Sequence, residues 1–226
     1  MQQPNTPPPT YHIIPATPSH IPQITAIVNH YVLTTIVNKS YRPIPESHYT
    51  NILTSNSHRN LPFLVAITPQ KTDDGNIEND EVIGFTTVTP WFPSKLGYAY
   101  TLEVSLYISP THRGGGTGTA LLTTLITHLE NNEYFTFSEG GANPSSGIVL
   151  KGTEGIGIPV RCTQLLALMA IDENTALDER VRKFYEREGF ELMGVMRGVG
   201  WKFGKRRDVR ILAKELNAGY VPEMIE

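Results

Sequence analysis

The chain is predicted to fold as an α/β (α+β) domain, a mixed and mostly antiparallel sheet with helices on both faces. Three observations predict this class. Apolar segments of strand and helix period follow one another in the order β-α-α-β-β-β-α-β-α-β-β. A glycine-rich junction, Ser109-Pro110-Thr111-His112-Arg113-Gly114-Gly115-Gly116-Thr117-Gly118, closes an apolar strand and opens an apolar helix. With 226 residues and 39% hydrophobic composition, the chain can bury one substantial core.

Taken in order, residues 1–11 are rich in proline and polar groups and read as a disordered tail. Ile13-Ile14 starts a short strand, and a helix follows from Ile21 with Ile24, Ile27, Val28 and Tyr31 on one face. Pro22 is tolerated because it lies in the first turn. A loop with Thr34, Thr35 and Asn38 leads to a short helix over Glu46 to Leu53. Leu61 to Thr68 reads as a strand, Pro69 to Asp80 as a loop and Val82 to Thr89 as the next strand. Leu102, Val104, Leu106 and Ile108 then alternate with Thr101, Glu103, Ser105 and Tyr107. The helix after the junction carries Ala120, Leu121, Leu122, Leu125 and Leu129 and ends near Glu130.

Residues 131–163 break this rhythm and read as a Gly/Ser-rich insertion without chemistry of its own. Leu165 to Ile171 is a buried strand, followed by a helix through Val181, Phe184 and Tyr185 that stops at Gly189. Strands over Glu191 to Met196 and Asp208 to Leu216 close the fold, with a loop from Gly198 to Arg207. The expected organisation is one domain over residues 12–217 and a C-terminal tail over 218–226.

Composition removes several function classes. A net charge of −3 argues against nonspecific nucleic-acid binding. The single cysteine, Cys162, excludes an internal disulfide framework and a multi-cysteine metal site, and no metal site is expected. No apolar run nears the roughly 18 residues of a membrane helix, and the N-terminus lacks a signal-peptide core. The expectation is a cytoplasmic protein without a membrane partner.

The glycine junction can turn backbone N–H groups toward one point at a helix N-terminus, which suits phosphate oxygens. A P-loop needs Lys and Ser or Thr after its last glycine, whereas Thr119-Ala120 follow Gly118. A dinucleotide fingerprint needs a third glycine where Thr119 stands. Arg113-x-x-Gly116-x-Gly118 instead resembles the acyl-CoA pyrophosphate loop of the GNAT acetyltransferases. A surface turn without a ligand is the plain alternative.

Further segments resemble the phosphinothricin acetyltransferases within that superfamily. They are Ile27-Val28-Asn29-His30-Tyr31, Thr35-x-Val37-Asn38, Tyr107-Ile108-Ser109-Pro110, Arg197-Gly198, Gly200-Trp201-Lys202-Phe203-Gly204 and Asp208. The similarity spans residues 12–217, with 131–163 unmatched. It implies the GNAT fold and direct acetyl transfer from acetyl-CoA to the primary amine of a small amino acid or analogue. It also implies a homodimer.

The resemblance assigns roles. Gly114, Gly115, Gly116, Thr117 and Gly118 cradle the pyrophosphate, with Arg113 balancing charge. A backbone N–H near Tyr107 or Ile108 meets the thioester carbonyl. Glu103 is the candidate base, because a carboxylate must take a proton from the substrate ammonium; the competing reading is an exposed glutamate on an edge strand. Tyr185, in a Tyr-x-x-x-Gly-Phe segment, is the candidate acid for the CoA thiolate, where phosphinothricin enzymes commonly carry His; otherwise it is core. Asn174 corresponds to an asparagine that meets the pantetheine arm, and Thr34, Thr35 and Asn38 line the substrate loop.

Other polar residues have plainer readings. His30 packs or caps locally, His112 is an exposed loop residue, and Cys162 is inert. Lys202, Lys205, Arg206 and Arg207 form a basic hairpin cluster that is either a solvated turn or aimed at an acidic substrate. Acetylation of a polyamine or protein N-terminus, and a CoA-binding module without catalysis, are the rival functions. The first expects several acids near the substrate loop, where only Glu46 stands close.

Overall fold

A computed structural model describes residues 11–71, 77–136 and 157–221. The elements are β1 (His12–Pro15), α1 (Ile21–Thr34), α2 (Glu46–Arg59), β2 (Phe63–Lys71), β3 (Ile77–Pro90), β4 (Thr101–Ile108), α3 (Thr117–Asn131), β5 (Tyr134–Thr136), β6 (Ile158–Val160), β7 (Gln164–Ala170), α4 (Thr175–Arg187), β8 (Glu191–Lys202) and β9 (Lys205–Glu215). Seven strands form one sheet in the order β1-β2-β3-β4-β7-β9-β8, while β5 and β6 pair separately. Every neighbour in the large sheet is antiparallel except β4 and β7.

Strand alternation divides the core into two layers. On one face α1 and α2 bury Ile24, Val28, Tyr31 and Tyr49 against Phe63, Val65 and Phe85. On the other, α3 and α4 bury Leu121, Leu125 and Tyr185 against Leu102, Val104 and Leu165. The predicted apolar faces of α1 and α3 are therefore the buried ones.

Three predicted boundaries are corrected. Helix α2 runs to Arg59 rather than Leu53, ending on Asn60 in the left-handed region at φ 57°. Its last turns are polar, but Asn56 and Arg59 are buried and hold it: Asn56 donates to Thr87 and Val88, and Arg59 to the Phe135 carbonyl. The predicted loop from Pro69 to Asp80 is partly ladder, since Pro69, Gln70 and Lys71 pair with Asp80, Asn79 and Ile77. The predicted loop from Gly198 to Arg207 is a β8–β9 hairpin turning at Phe203-Gly204, both at positive φ, which matches the strand twist. Its irregular point is a bulge between Met196 and Gly200, where the Gly198 N–H donates to the Asp208 carboxylate at 2.7 Å.

The expected 131–163 insertion has anchored ends. Tyr134, Val160 and Cys162 are buried in the α3/α4 layer. The middle of that insertion, the N-terminal tail through Thr10 and the last five residues lie outside the described residues. Among the described residues, no helix is long and apolar enough to cross a membrane.

Candidate active site

The parallel pair β4 and β7 meets only at Thr101–Gln164, Leu102–Leu165 and Glu103–Leu166. Beyond Glu103 the strands part, and a gap opens in the middle of the sheet. Ser109 N–H donates to Ile83 O at 2.8 Å. Antiparallel alternation therefore points the odd residues of β4 at β3 and turns the amides of Leu106 and Ile108 into the gap. Of the two residues expected at the carbonyl position, Ile108 directs its N–H there and Tyr107 does not.

The glycine junction lies at the C-terminal end of β4. Gly114 and Gly116 adopt φ of 89° and 78°, the left-handed region that only glycine enters cheaply. Gly116 is the N-cap of α3, no side chain caps the helix, and its first turn carries no acid. The first amides of α3 thus lack side-chain competitors and face outward with the helix dipole behind them. That chemistry fits a pyrophosphate. Gly118 sits close to Phe184 and Ile108, where a Cβ would make ordinary contact; Thr117 is buried, and Gly115 is exposed.

Arg113 is held sideways. Its Nε and Nη2 donate to the Tyr31 hydroxyl at 3.2 and 3.0 Å, and that hydroxyl donates to Ile108 O at 2.5 Å. One phenol on α1 thereby ties the end of β4 to the start of the junction. The sequence reading placed Tyr31 on the buried helix face and missed this hydroxyl.

Across the sheet, Glu103, Ser105 and Tyr107 face the α1/α2 layer. Strand β4 is central, so Glu103 is not on an edge. Its carboxylate has no hydrogen bond or ion pair among the described residues. Burial pushes its pKa above the ordinary carboxylate range, opposed by the charge of Lys39. Lys39 is itself pushed down, first by burial and then by Lys202, against the pull of Glu103. Asn38 Nδ2 donates to the Tyr107 hydroxyl at 3.3 Å. The loop after α1 therefore brings Asn38 and Lys39 to the Glu103–Tyr107 face.

Thr34 and Thr35 do not join them. Thr34 is exposed and its hydroxyl donates to His30 O, while the Thr35 hydroxyl donates to Tyr31 O. Both turn back on the C-terminal turn of α1, where Tyr31 O also accepts the Thr35 N–H at 3.1 Å. Lys202 also departs from its reading as a solvated hairpin cation. It is 2% exposed and donates to Val32 O at 2.7 Å and to Asn38 O at 2.5 Å. Arg207 and Lys205 pair with Glu173. Lys39 and Lys202 carry no periodic signal; only the position of Lys202 within Gly200–Gly204 set it apart from its basic neighbours.

Tyr185 lies in the α3/α4 layer. Its ring is buried core against Phe184 and Phe190. Its hydroxyl has no hydrogen-bond partner among the described residues. Burial raises its pKa, as does the Tyr107 phenol from the opposite face of the sheet. Asn174 is the N-cap of α4, with Oδ1 accepting from Leu177 N–H at 3.2 Å. Only its Nδ2 is left to meet a ligand.

The remaining singled-out residues are peripheral. His30 is exposed beside the Tyr31 ring, and His112 bonds Thr111 near Glu81. The Cys162 thiol is fully buried and its pKa is pushed up to about 12, principally by burial.

This chain has known relatives. The model of the acetyltransferase (GNAT) family matches residues 33–141. A phosphinothricin N-acetyltransferase of Alcaligenes faecalis is 30% identical over 199 residues, covering 88% of this chain and 79% of the relative. Among solved structures, yncA of Salmonella typhimurium with its cofactor acetyl-CoA is similar with a TM-score of 0.69 at 22% identity, covering 95% of this chain and 98% of that one. A phosphinothricin acetyltransferase of Sinorhizobium meliloti in complex with acetyl-CoA gives 0.68 at 21% identity, over 96% and 94% of the two chains. The solved structures establish the fold, and the family match runs from the end of α1 through the whole glycine junction. Together with the identity shared over most of the chain, they make this protein a member of the GNAT family of acetyltransferases.

Proposed function

We propose that this acetyltransferase moves the acetyl group of acetyl-CoA to the primary amine of a small amino acid or amino-acid analogue. The observation that carries the substrate class is the pairing of Glu103 and Lys39, both without a bonded partner among the described residues, on one half-buried face beside the gap. An ammonium is drawn to the carboxylate, and an anionic group on the same small molecule to the lysine. A polyamine would bring a second cation against Lys39 and Lys202 instead.

Acetyl-CoA is the donor and supplies a thioester whose acyl carbon accepts the amine. Gly114 to Gly118 offer backbone amides to its pyrophosphate, Arg113 adds the charge left over from Tyr31, and Asn174 Nδ2 is available to its arm. Glu103, with its raised pKa, takes a proton from the substrate ammonium and frees the nitrogen lone pair. The carbon–nitrogen bond forms as the carbon–sulfur bond breaks. The Ile108 amide donates where negative charge develops on oxygen, and a fixed donor costs no reorganisation there. Tyr185, protonated through the neutral range, gives its proton to the departing thiolate, and the second proton lost by the acylated nitrogen restores the phenol.

Thiol release from acetyl-CoA tests this reading. Phosphinothricin, methionine sulfone and ordinary amino acids should release thiol fastest, ahead of spermidine and N-terminal peptides. Release with the latter alone overturns the substrate class. Binding of acetyl-CoA without any amine-dependent release leaves a non-catalytic module.

The same reading includes a homodimer. Edge strand β8 exposes Leu192, Met193, Val195, Val199 and Trp201, an apolar row on an unpaired edge that a second copy can cover. Sedimentation velocity should give a dimer, and V195K with M193K should give monomers. Monomeric wild-type protein at micromolar concentration overturns this part.

A further inference from the structure

Lys202 lies where a cation is expensive. It is 2% exposed, has no carboxylate partner among the described residues, and burial lowers its pKa. Its ammonium is instead satisfied by two backbone carbonyls, Val32 O and Asn38 O. Val32 belongs to the last turn of α1, whose carbonyls find no partner within the helix and carry its negative dipole end. Asn38 lies beyond that helix, and its side chain meets the Tyr107 hydroxyl. One ammonium therefore joins the two ends of the loop that presents Asn38 and Lys39 to Glu103.

The hairpin carrying Lys202 is anchored on both sides. Tyr41, farther along the same loop, donates from its hydroxyl to Trp201 O. Arg207 Nε donates to Lys202 O, and its Nη1 to Glu173 in the segment before α4. The stem of Lys39 packs where a side chain on Gly200 would stand, 3.7 Å from that position. The hairpin is thus a rigid backing plate for the α1–α2 loop, 164 residues away in sequence at the Lys202–Asn38 bond.

We propose that Lys202 is a positioning residue for the amine: by bridging Val32 O and Asn38 O, it holds the α1–α2 loop so that Asn38 and Lys39 face Glu103 and Tyr107. It touches neither acceptor nor donor itself. The inference rests on the reading of the Glu103 face as the amine site. The hydrogen bonds of Lys202 go to Val32 O and Asn38 O and not to the donor cradle.

Lys202→Met keeps an unbranched apolar stem and removes the donors. With the best amine, its KM should rise roughly tenfold or more, while kcat changes less than about threefold and the acetyl-CoA dissociation constant holds. Lys202→Arg keeps charge and donors and should recover part of the amine KM. Adding Asn38→Ala to Lys202→Met should cost less than the sum of the two single changes, because Lys202 holds the Asn38 carbonyl and thereby aims the side chain that reaches Tyr107. Hydrogen exchange, which needs no substrate, should show faster exchange at Val37 and Ser40 in Lys202→Met and unchanged exchange in the first turn of α3.

An unaltered amine KM with unaltered loop exchange overturns the proposal. Equal losses of amine and acetyl-CoA affinity also overturn it, since they mark a purely structural lysine. If Lys202→Met does not fold, Lys202→Arg carries the same comparison of amine against acetyl-CoA. Wild-type protein that acetylates no amine, or Glu103→Gln with full turnover, refutes the site reading and leaves the exchange result to decide whether Lys202 orders the loop.

Discussion

The two sides of the central gap are built by opposite means. The donor side is backbone: ten consecutive residues, two left-handed glycines and an uncapped helix start. The acceptor side is side chain: Asn38, Lys39, Glu103, Tyr107 and Lys202 come from three distant stretches of chain. A ligand recognised by backbone amides needs the same turn whatever else it carries, whereas an acceptor is chosen by charges that single substitutions can move. In the proposed reading the donor side fixes what is transferred, and the acceptor side decides to what.

The largest break in that contrast is Glu103→Gln. It should lower kcat by about 10²- to 10⁴-fold and leave acetyl-CoA affinity unchanged, as read by thiol release and calorimetry. Stability should move the other way. Because the folded pKa of Glu103 is raised, the stability it contributes is present below the unfolded carboxylate pKa and lost as pH rises through the folded one. The glutamine variant escapes that loss. Its Tm should exceed that of the parent by about 2 °C at pH 8, with the difference vanishing near pH 4. A variant that melts lower at pH 8 would show that the carboxylate is held by a favourable partner.

On the donor side, Gly116→Val forces a β-branched residue to φ 78° at a cost on the order of 1–3 kcal/mol. Nothing lies within 4 Å of the added Cβ, so the damage is to the turn and not to packing. The acetyl-CoA dissociation constant should rise roughly tenfold or more, with the amine KM altered less. Equal losses for both substrates would mean that the junction also supports the acceptor side.

The same division explains what could be read from the residues alone. The shape of the junction is legible because it is a local conformation, with Gly114 and Gly116 at positive φ and a helix start without a capping side chain in one short stretch. Helices α1 and α3 were legible by their apolar period. Helix α2 was read six residues short because Asn56 and Arg59 are polar yet buried by distant partners. Glu103 could be picked out by its place on the polar face of an apolar strand. The burial of Lys202 could not: beyond its place within Gly200–Gly204, it differs from its basic neighbours only through two carbonyls contributed by a distant segment. The hydroxyls of Thr34 and Thr35 show the opposite case, since a hydroxyl at a helix end is commonly taken up by the helix itself.

The smallest predicted effect sharpens the comparison most. Lys39 opposes the rise in the Glu103 pKa, so Lys39→Met should raise that pKa further. The rate requires the ionised carboxylate, and the acid limb of kcat/KM should therefore move to higher pH, by about half a unit to one unit for a half-buried pair. Above pH 8 the variant should regain most of its kcat with a simple amine. An acceptor bearing a carboxylate should keep an elevated KM at every pH, because its anion has lost the lysine. Gly116→Val should leave the limb where it is. A limb unmoved by Lys39→Met would separate the lysine from the base and remove the charge pair that argues for an amino-acid acceptor. A limb moved equally by both variants would mean that the two sides of the gap are not independent.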